Sequence, residues 1–116
     1  SLYMRIPLKV DVIRDRGALA REVEHGYIEN VYRLQVMNAT ETKQRYVVTV
    51  TGLPGVRMAS EPAIEVLSTE MRSMPVRVQV PPGTLQAGSH PLVMEIRSTG
   101  EDPHQVTEKA AFIVPR

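Results

Sequence analysis

Six segments of this chain alternate apolar and polar residues with a period of two, and that alternation restricts the fold more than any other feature. Leu8, Val10 and Val12 alternate with Lys9, Asp11 and Ile13; Tyr32, Leu34 and Val36 alternate with Arg33 and Gln35. The same holds for Tyr46, Val48 and Val50, for Val76, Val78 and Val80, for Leu92, Met94 and Ile96, and for Ala110, Phe112 and Val114. Successive side chains of an extended backbone point to opposite faces, so each segment reads as a strand with one face in a core and the other toward water.

Punctuation between the segments agrees. Gly52, Pro54 and Gly55 end one strand, Pro81, Pro82 and Gly83 another, and residues 98–103 (STGEDP) form a strong turn before the last strand. The long strand from Ile28 to Asn38 and the strand around Tyr46 to Thr51, joined by ATETKQ, read as a hairpin. From Val56 to Met71 the pattern weakens to short edge strands around Met58 and from Ala63 to Leu67, split by Ser60, Glu61 and Pro62. Ala18 to Glu24 is the one short candidate for a helical turn, with Leu19 and Val23 at i and i+4.

About seven strands joined by Pro/Gly turns, with no helix long enough to cover a sheet, predict an all-β, immunoglobulin-like β-sandwich of Greek-key type. A small barrel is the alternative. At 116 residues the chain has the length of one domain. Residues 7–116 are assigned to that domain, and residues 1–6 to a linker or cloning remnant leading into the first strand. The chain opens so abruptly into a strand that it reads as an excised domain. With four Tyr, one Phe, no Trp and no Cys, the core must be filled mainly by Val, Leu, Ile and Met. The Cys pair and Trp of antibody domains are missing, there is no disulfide, and no Tyr stands near the start of the penultimate strand, where His90 and Pro91 are found.

The absence of cysteine removes thiolate nucleophiles, zinc-thiolate sites and iron–sulfur ligation from this chain. Fourteen basic and 13 acidic residues are spread along its length, without the basic stripe that neutralises phosphates, so nucleic acid is not an expected partner. No apolar run approaches the roughly 20 residues that cross a bilayer. No nucleophile elbow, phosphate-binding glycine loop or metal-spaced His-carboxylate cluster occurs, and the chain is not expected to be an enzyme. His25, His90 and His104 together with Met4, Met37, Met58, Met71, Met74 and Met94 have the residue types of a copper site, but no two His are close in sequence and Met is a routine core filler. The expected metal and cofactor content is none. The charged connection holding Arg14, Asp15, Arg16, Arg21, Glu22 and Glu24 reads as a solvated loop and a candidate interaction surface.

That loop belongs to PLKVDVIRDRGALAREVEHGYIENVYRLQVMN, residues 7–38, which resembles the start of the C-terminal domain of the FixG, CcoG or RdxA family. There a strand ending in DV-RDR leads through a short charged loop to an IENVY-L-like strand ending in Asn. The turn Gly52-Leu53-Pro54-Gly55 and the ending AFIVP at 111–115 are similar to that family as well. The resemblance implies a bacterial inner-membrane parent protein with transmembrane helices, [4Fe-4S] clusters and a role in assembling cbb3-type cytochrome oxidase through reduction of copper. The cluster cysteines have no counterpart here. What it implies for this chain is a non-catalytic accessory domain on the periplasmic side, meeting the parent's own membrane or ferredoxin-like part, an oxidase subunit or a copper chaperone. A Met/His copper-handling domain and an unrelated immunoglobulin-like adhesion or secretion module are the alternatives.

Overall fold

The computed structural model describes residues 8–14, 20–100 and 103–115, with Arg14 described by its backbone alone. Nine strands occur among them: β1 (Leu8–Arg14), β2 (Arg21–Glu22), β3 (Ile28–Asn38), β4 (Gln44–Thr51), β5 (Arg57–Met58), β6 (Ala63–Val66), β7 (Met71–Val80), β8 (Gly88–Ser98) and β9 (Gln105–Val114). They form two antiparallel sheets. One runs β1-β3-β7-β5, with β2 on β3 beyond the end of β1; the other runs β6-β4-β8-β9. The two sheets with a crossing chain path are those of an immunoglobulin-like sandwich, with β2 and β5 as two-residue additions to the seven longer strands.

Two sequence expectations fail, and both fail for a stated reason. β3 and β4 are not a hairpin: β3 pairs with β1 and β7, whereas β4 pairs with β6 and β8 in the other sheet. The short connection crosses between layers because Asn38 gathers it. Asn38 is buried; its Nδ2 donates to the carbonyls of Thr42 and Val66 at 2.9 and 3.0 Å, and its Oδ1 accepts from the Thr40 N–H at 2.9 Å. The second failure is the helical turn. Arg21 and Glu22 pair in extended form with Glu29 and Ile28, and Glu24–Gly26 make a 3₁₀ turn instead. Ala18 and Leu19 lie outside the described residues. Pairing to an open edge of β3 satisfies more backbone groups than one isolated turn, whose nucleation is unfavourable.

The core follows the alternation. Leu8, Val10, Tyr32, Leu34, Val36, Tyr46, Val48, Val76, Val78, Leu92, Met94, Ile96 and Phe112 are all buried, and Ala110 and Val114 pack against them. Each such aliphatic or aromatic side chain contributes about 1.5–3 kcal/mol of transfer free energy. Pro75 is tolerated inside β7 because of its parity. Arg77, two residues on, turns its N–H and C=O to the β5 side, donating to Ser60 Oγ at 3.0 Å and accepting from the Ala59 N–H at 2.8 Å. Pro75 therefore presents its donor-less nitrogen to the same side, beyond the end of β5, where no ladder partner is lost.

Polar side chains of β3 tie the sheets together at the β9 edge. Tyr32 Oη donates to the Ala111 carbonyl at 2.6 Å, and Asn30, itself buried, bonds both backbone groups of Ile113. At the end of β7, Pro81 and Pro82 pack on two glycines with positive φ. A Cβ on Gly55 (φ +68°) would stand 2.7 Å from Pro81 Cγ, and one on Gly26 (φ +77°) 3.3 Å from Pro82.

Candidate functional site

The polar face of the β1-β3-β7-β5 sheet carries the chemistry that the core lacks. Register aligns Arg21 of β2, Glu29 of β3, Gln79 of β7 and Arg57 of β5 in one row across four strands. Side chains directly opposite on neighbouring strands lie about 4.5–5.5 Å apart at Cβ, which lets the row bond along its whole length. Arg21 Nη2 donates to Glu29 Oε1 at 3.2 Å; Gln79 Nε2 donates to Glu29 Oε2 at 2.8 Å; Arg57 Nε donates to Gln79 Oε1 at 2.9 Å. Arg77, two residues before Gln79 on the same face, adds Nε and Nη2 to Glu29 Oε2 at 3.0 and 2.8 Å.

Glu29 is fully buried although it sits on the outward-facing side of its strand. Burial acts to raise its pKa, but the N–H groups of Gln79, Arg77 and Arg21 and the charge of Arg77 together hold the carboxyl below its ordinary value. The carboxylate is thus an ionised pivot held by two guanidinium groups and the Gln79 amide. Arg57 is fixed a second time, its guanidinium lying 3.9 Å from the centroid of the Tyr27 ring. Val23, Glu24, Arg57, Arg77 and Gln79 line a surface cleft of about 350 Å³ beside this network.

Of the candidate interaction residues, Arg21 joins the network, Glu24 lines the cleft, and Glu22 lies on the other side of the same segment, beside a hollow formed with Gly26, Ile28, Val80 and Pro81. Asp15, Arg16 and the Arg14 side chain lie outside the described residues. Sequence reasoning missed Glu29, Arg57, Arg77 and Gln79. The one available sign was a carboxylate inside a strand, where Asp and Glu are depleted.

The copper-type residues scatter. Met74 and Met94 are buried in the core and Met58 packs against it; His25 sits in the 3₁₀ turn, His90 in β8 with Nε2 2.7 Å from the Gln86 carbonyl, and His104 just before β9. Met4 lies outside the described residues. Met37 and Met71 do meet as directly opposite residues of β3 and β7, 37% and 61% exposed. Among the described residues no group of three His, Asp or Glu is placed to hold a metal ion, and no helix is long and apolar enough to cross a membrane.

Residues 1–115 match the family described as "IG-like fold at C-terminal of FixG, putative oxidoreductase". The chain belongs to this FixG C-terminal family. A solved FixG-related protein from Vibrio parahaemolyticus is similar to this FixG-type domain over 92% of the chain and 95% of its own length, with 28% identity and a TM-score of 0.80. More distant likenesses concern the fold alone. A stretch of Escherichia coli alpha-2-macroglobulin superposes on 97% of the chain, using 17% of its own length, at 17% identity and a TM-score of 0.58. The cupredoxin domain of amoB from Nitrosocaldus yellowstonii superposes on 76% of the chain and 56% of its own length at 5% identity and a TM-score of 0.53. No curated protein sequence matches the FixG-type domain significantly.

Proposed function

We propose that this FixG C-terminal domain is a non-catalytic interaction module of a larger membrane-bound iron–sulfur protein that serves cbb3-type oxidase assembly and copper reduction from the periplasmic side of the inner membrane. The observation that carries the reading is the polar row on the outer sheet face. A buried, ionised Glu29 orders Arg21, Arg77 and, through Gln79, Arg57 into a fixed surface. Fixed charged donors at a surface favour specific, reversible contact, because less side-chain entropy is lost on binding. Membership of the family supports a FixG-type parent, and with it the reading as an unrelated adhesion or secretion module is dropped.

The partner on this reading is the parent's own redox part, an oxidase subunit or a copper chaperone. Deleting the domain from the full-length parent is the test. The expected result is loss of a co-purifying partner and reduced oxidase assembly; unchanged assembly with an unchanged set of partners would remove the proposal.

One observation favours a second reading, copper handling. Met37 and Met71 present two thioethers side by side at partly exposed positions, and thioethers suit Cu(I). Titration of the chain with Cu(I) against a competing chelator decides it: binding no tighter than about micromolar, or binding untouched by Met71→Leu, leaves the interaction module alone.

A further inference from the structure

We propose that the cleft between Arg57 and Arg77 receives a carboxylate side chain from an acidic segment of a partner protein. This rests on the reading of the domain as an interaction module and adds the chemistry of the contact.

The first argument is unspent hydrogen-bond capacity. Arg57 gives its Nε–H to Gln79 Oε1, and Arg77 gives Nε and Nη2 to Glu29 Oε2. Among the described residues no acceptor takes the Nη groups of Arg57 or the Nη1 group of Arg77. Gln79 between them already bonds Glu29 through its amide N–H and Arg57 through its amide oxygen. A guanidinium fork accepts a carboxylate in bidentate fashion, which makes planar oxyanions its natural ligand.

The second argument is that the two cations are held before any ligand arrives. Glu29 anchors Arg77 from beneath, while the Gln79 bond and the Tyr27 ring fix Arg57 from two directions. Long cationic side chains ordinarily lose rotamer freedom on binding, and here that cost has been met in folding.

The third argument is charge. Arg21, Arg57 and Arg77 bring three positive charges, and Glu29 and Glu24 bring two negative ones. The surplus is one positive charge. A single carboxylate neutralises it, whereas a phosphate dianion overshoots and meets Glu24 at the rim. Val23 gives the cleft an apolar wall against which the methylenes of a Glu or Asp side chain can lie.

The experiment uses the isotope-labelled chain and three probes: a blocked tri-glutamate peptide, a blocked tri-glutamine peptide and inorganic phosphate. Nitrogen–proton NMR spectra follow the Nε–H groups of Arg57 and Arg77 and the amide of Gln79. Saturable shifts of these signals by tri-glutamate alone are expected, with an affinity that falls as salt rises. Arg57→Gln, which leaves every Glu29 partner in place, should weaken that binding by about tenfold, the worth of one charge-assisted pair. Glu24→Gln removes the rim charge and should tighten it by about threefold, a gain that a misfolded variant cannot give. Equal shifts with tri-glutamine, tighter binding of phosphate, or no saturable shift up to about 10 mM peptide would each overturn the proposal. Failure here with partner loss on domain deletion places the contact on another face; no partner loss on deletion removes the interaction reading itself.

Discussion

The side chain of Asn30 acts as a surrogate strand for Ile113: its Nδ2 donates to the Ile113 carbonyl at 2.9 Å and its Oδ1 accepts the Ile113 N–H at 2.9 Å. β9 is the last strand of its sheet, and an edge strand with unpaired backbone groups is a template for another chain. Asn30, with Tyr32 bonded to Ala111 two residues earlier, spends those groups internally. The device joins the two sheets and blunts the edge at once.

Asn30→Ala should therefore do two things. Removing both bonds leaves an N–H and a carbonyl at the edge of the core, and a loss of about 1–3 kcal/mol is expected from the urea-unfolding midpoint. Light scattering should show stronger concentration-dependent association than that of the unsubstituted chain. A variant that loses stability but stays monomeric would confine Asn30 to the first role.

Glu29→Gln should cost about 2–3 kcal/mol at neutral pH, because Arg21 and Arg77 lose a charged acceptor in a buried position. The sign of the pH effect follows from the lowered folded pKa. A carboxyl that is more acidic in the folded than in the unfolded chain stabilises the fold above its ordinary value of 4.5, and the contribution disappears as pH falls through the folded value. Unfolding curves from pH 7 downward should thus show parent and variant converging in acid. A constant gap would refute the assignment.

Gly55→Ala and Gly83→Ala form a matched pair. Both glycines have positive φ, +68° and +76°, so alanine is strained at either by about 1 kcal/mol. Only at Gly55 does the new Cβ meet Pro81, at 2.7 Å; at Gly83 it meets nothing within 4 Å. Gly55→Ala should destabilise the fold by about 1–3 kcal/mol more than Gly83→Ala in thermal unfolding. Equal costs would show that Pro81 gives way.

Asn38→Asp keeps the acceptor for the Thr40 N–H but replaces the donor facing the Thr42 and Val66 carbonyls with a second oxygen. A loss of about 2–4 kcal/mol is expected from buried repulsion and desolvation. Hydrogen exchange should accelerate first in the connection from Ala39 to Lys43, where the chain passes between sheets. Acceleration spread evenly over β3 and β4 would contradict the role given to Asn38.

The inward-facing residues were legible because alternation depends on nothing beyond the local chain: Tyr32, Leu34 and Val36 point into the core as their spacing requires. Which strands pair was not. A short connection between two alternating segments suggests a hairpin, and nothing in the residues around Asn38 announces that its amide will hold a crossing between layers. Glu29 marks the same limit more sharply. Its parity places it on the solvent side with Arg33 and Gln35, and it is buried only because Arg21, Arg57, Arg77 and Gln79 arrive from three other strands. Of the charged loop, Arg21 joins the polar row and Glu24 lines the cleft, while the cations that build the cleft, Arg57 and Arg77, lie in segments that read as an ordinary edge and an ordinary strand.

The burial of Glu29 also sets an order of events for a chain that emerges from its N-terminus. β2 and β3 can pair as soon as both exist, yet the carboxylate between them and β7 lacks the Arg77 cation and the Gln79 amide until β7 has been made. Drying it earlier would leave Oε2 without the donors that compensate its burial, which is costly. The β2–β3 pair is therefore expected to stay hydrated along this stretch until β7 docks from far along the sequence. Glu29 thus ties the drying of the outer face to the docking of β7.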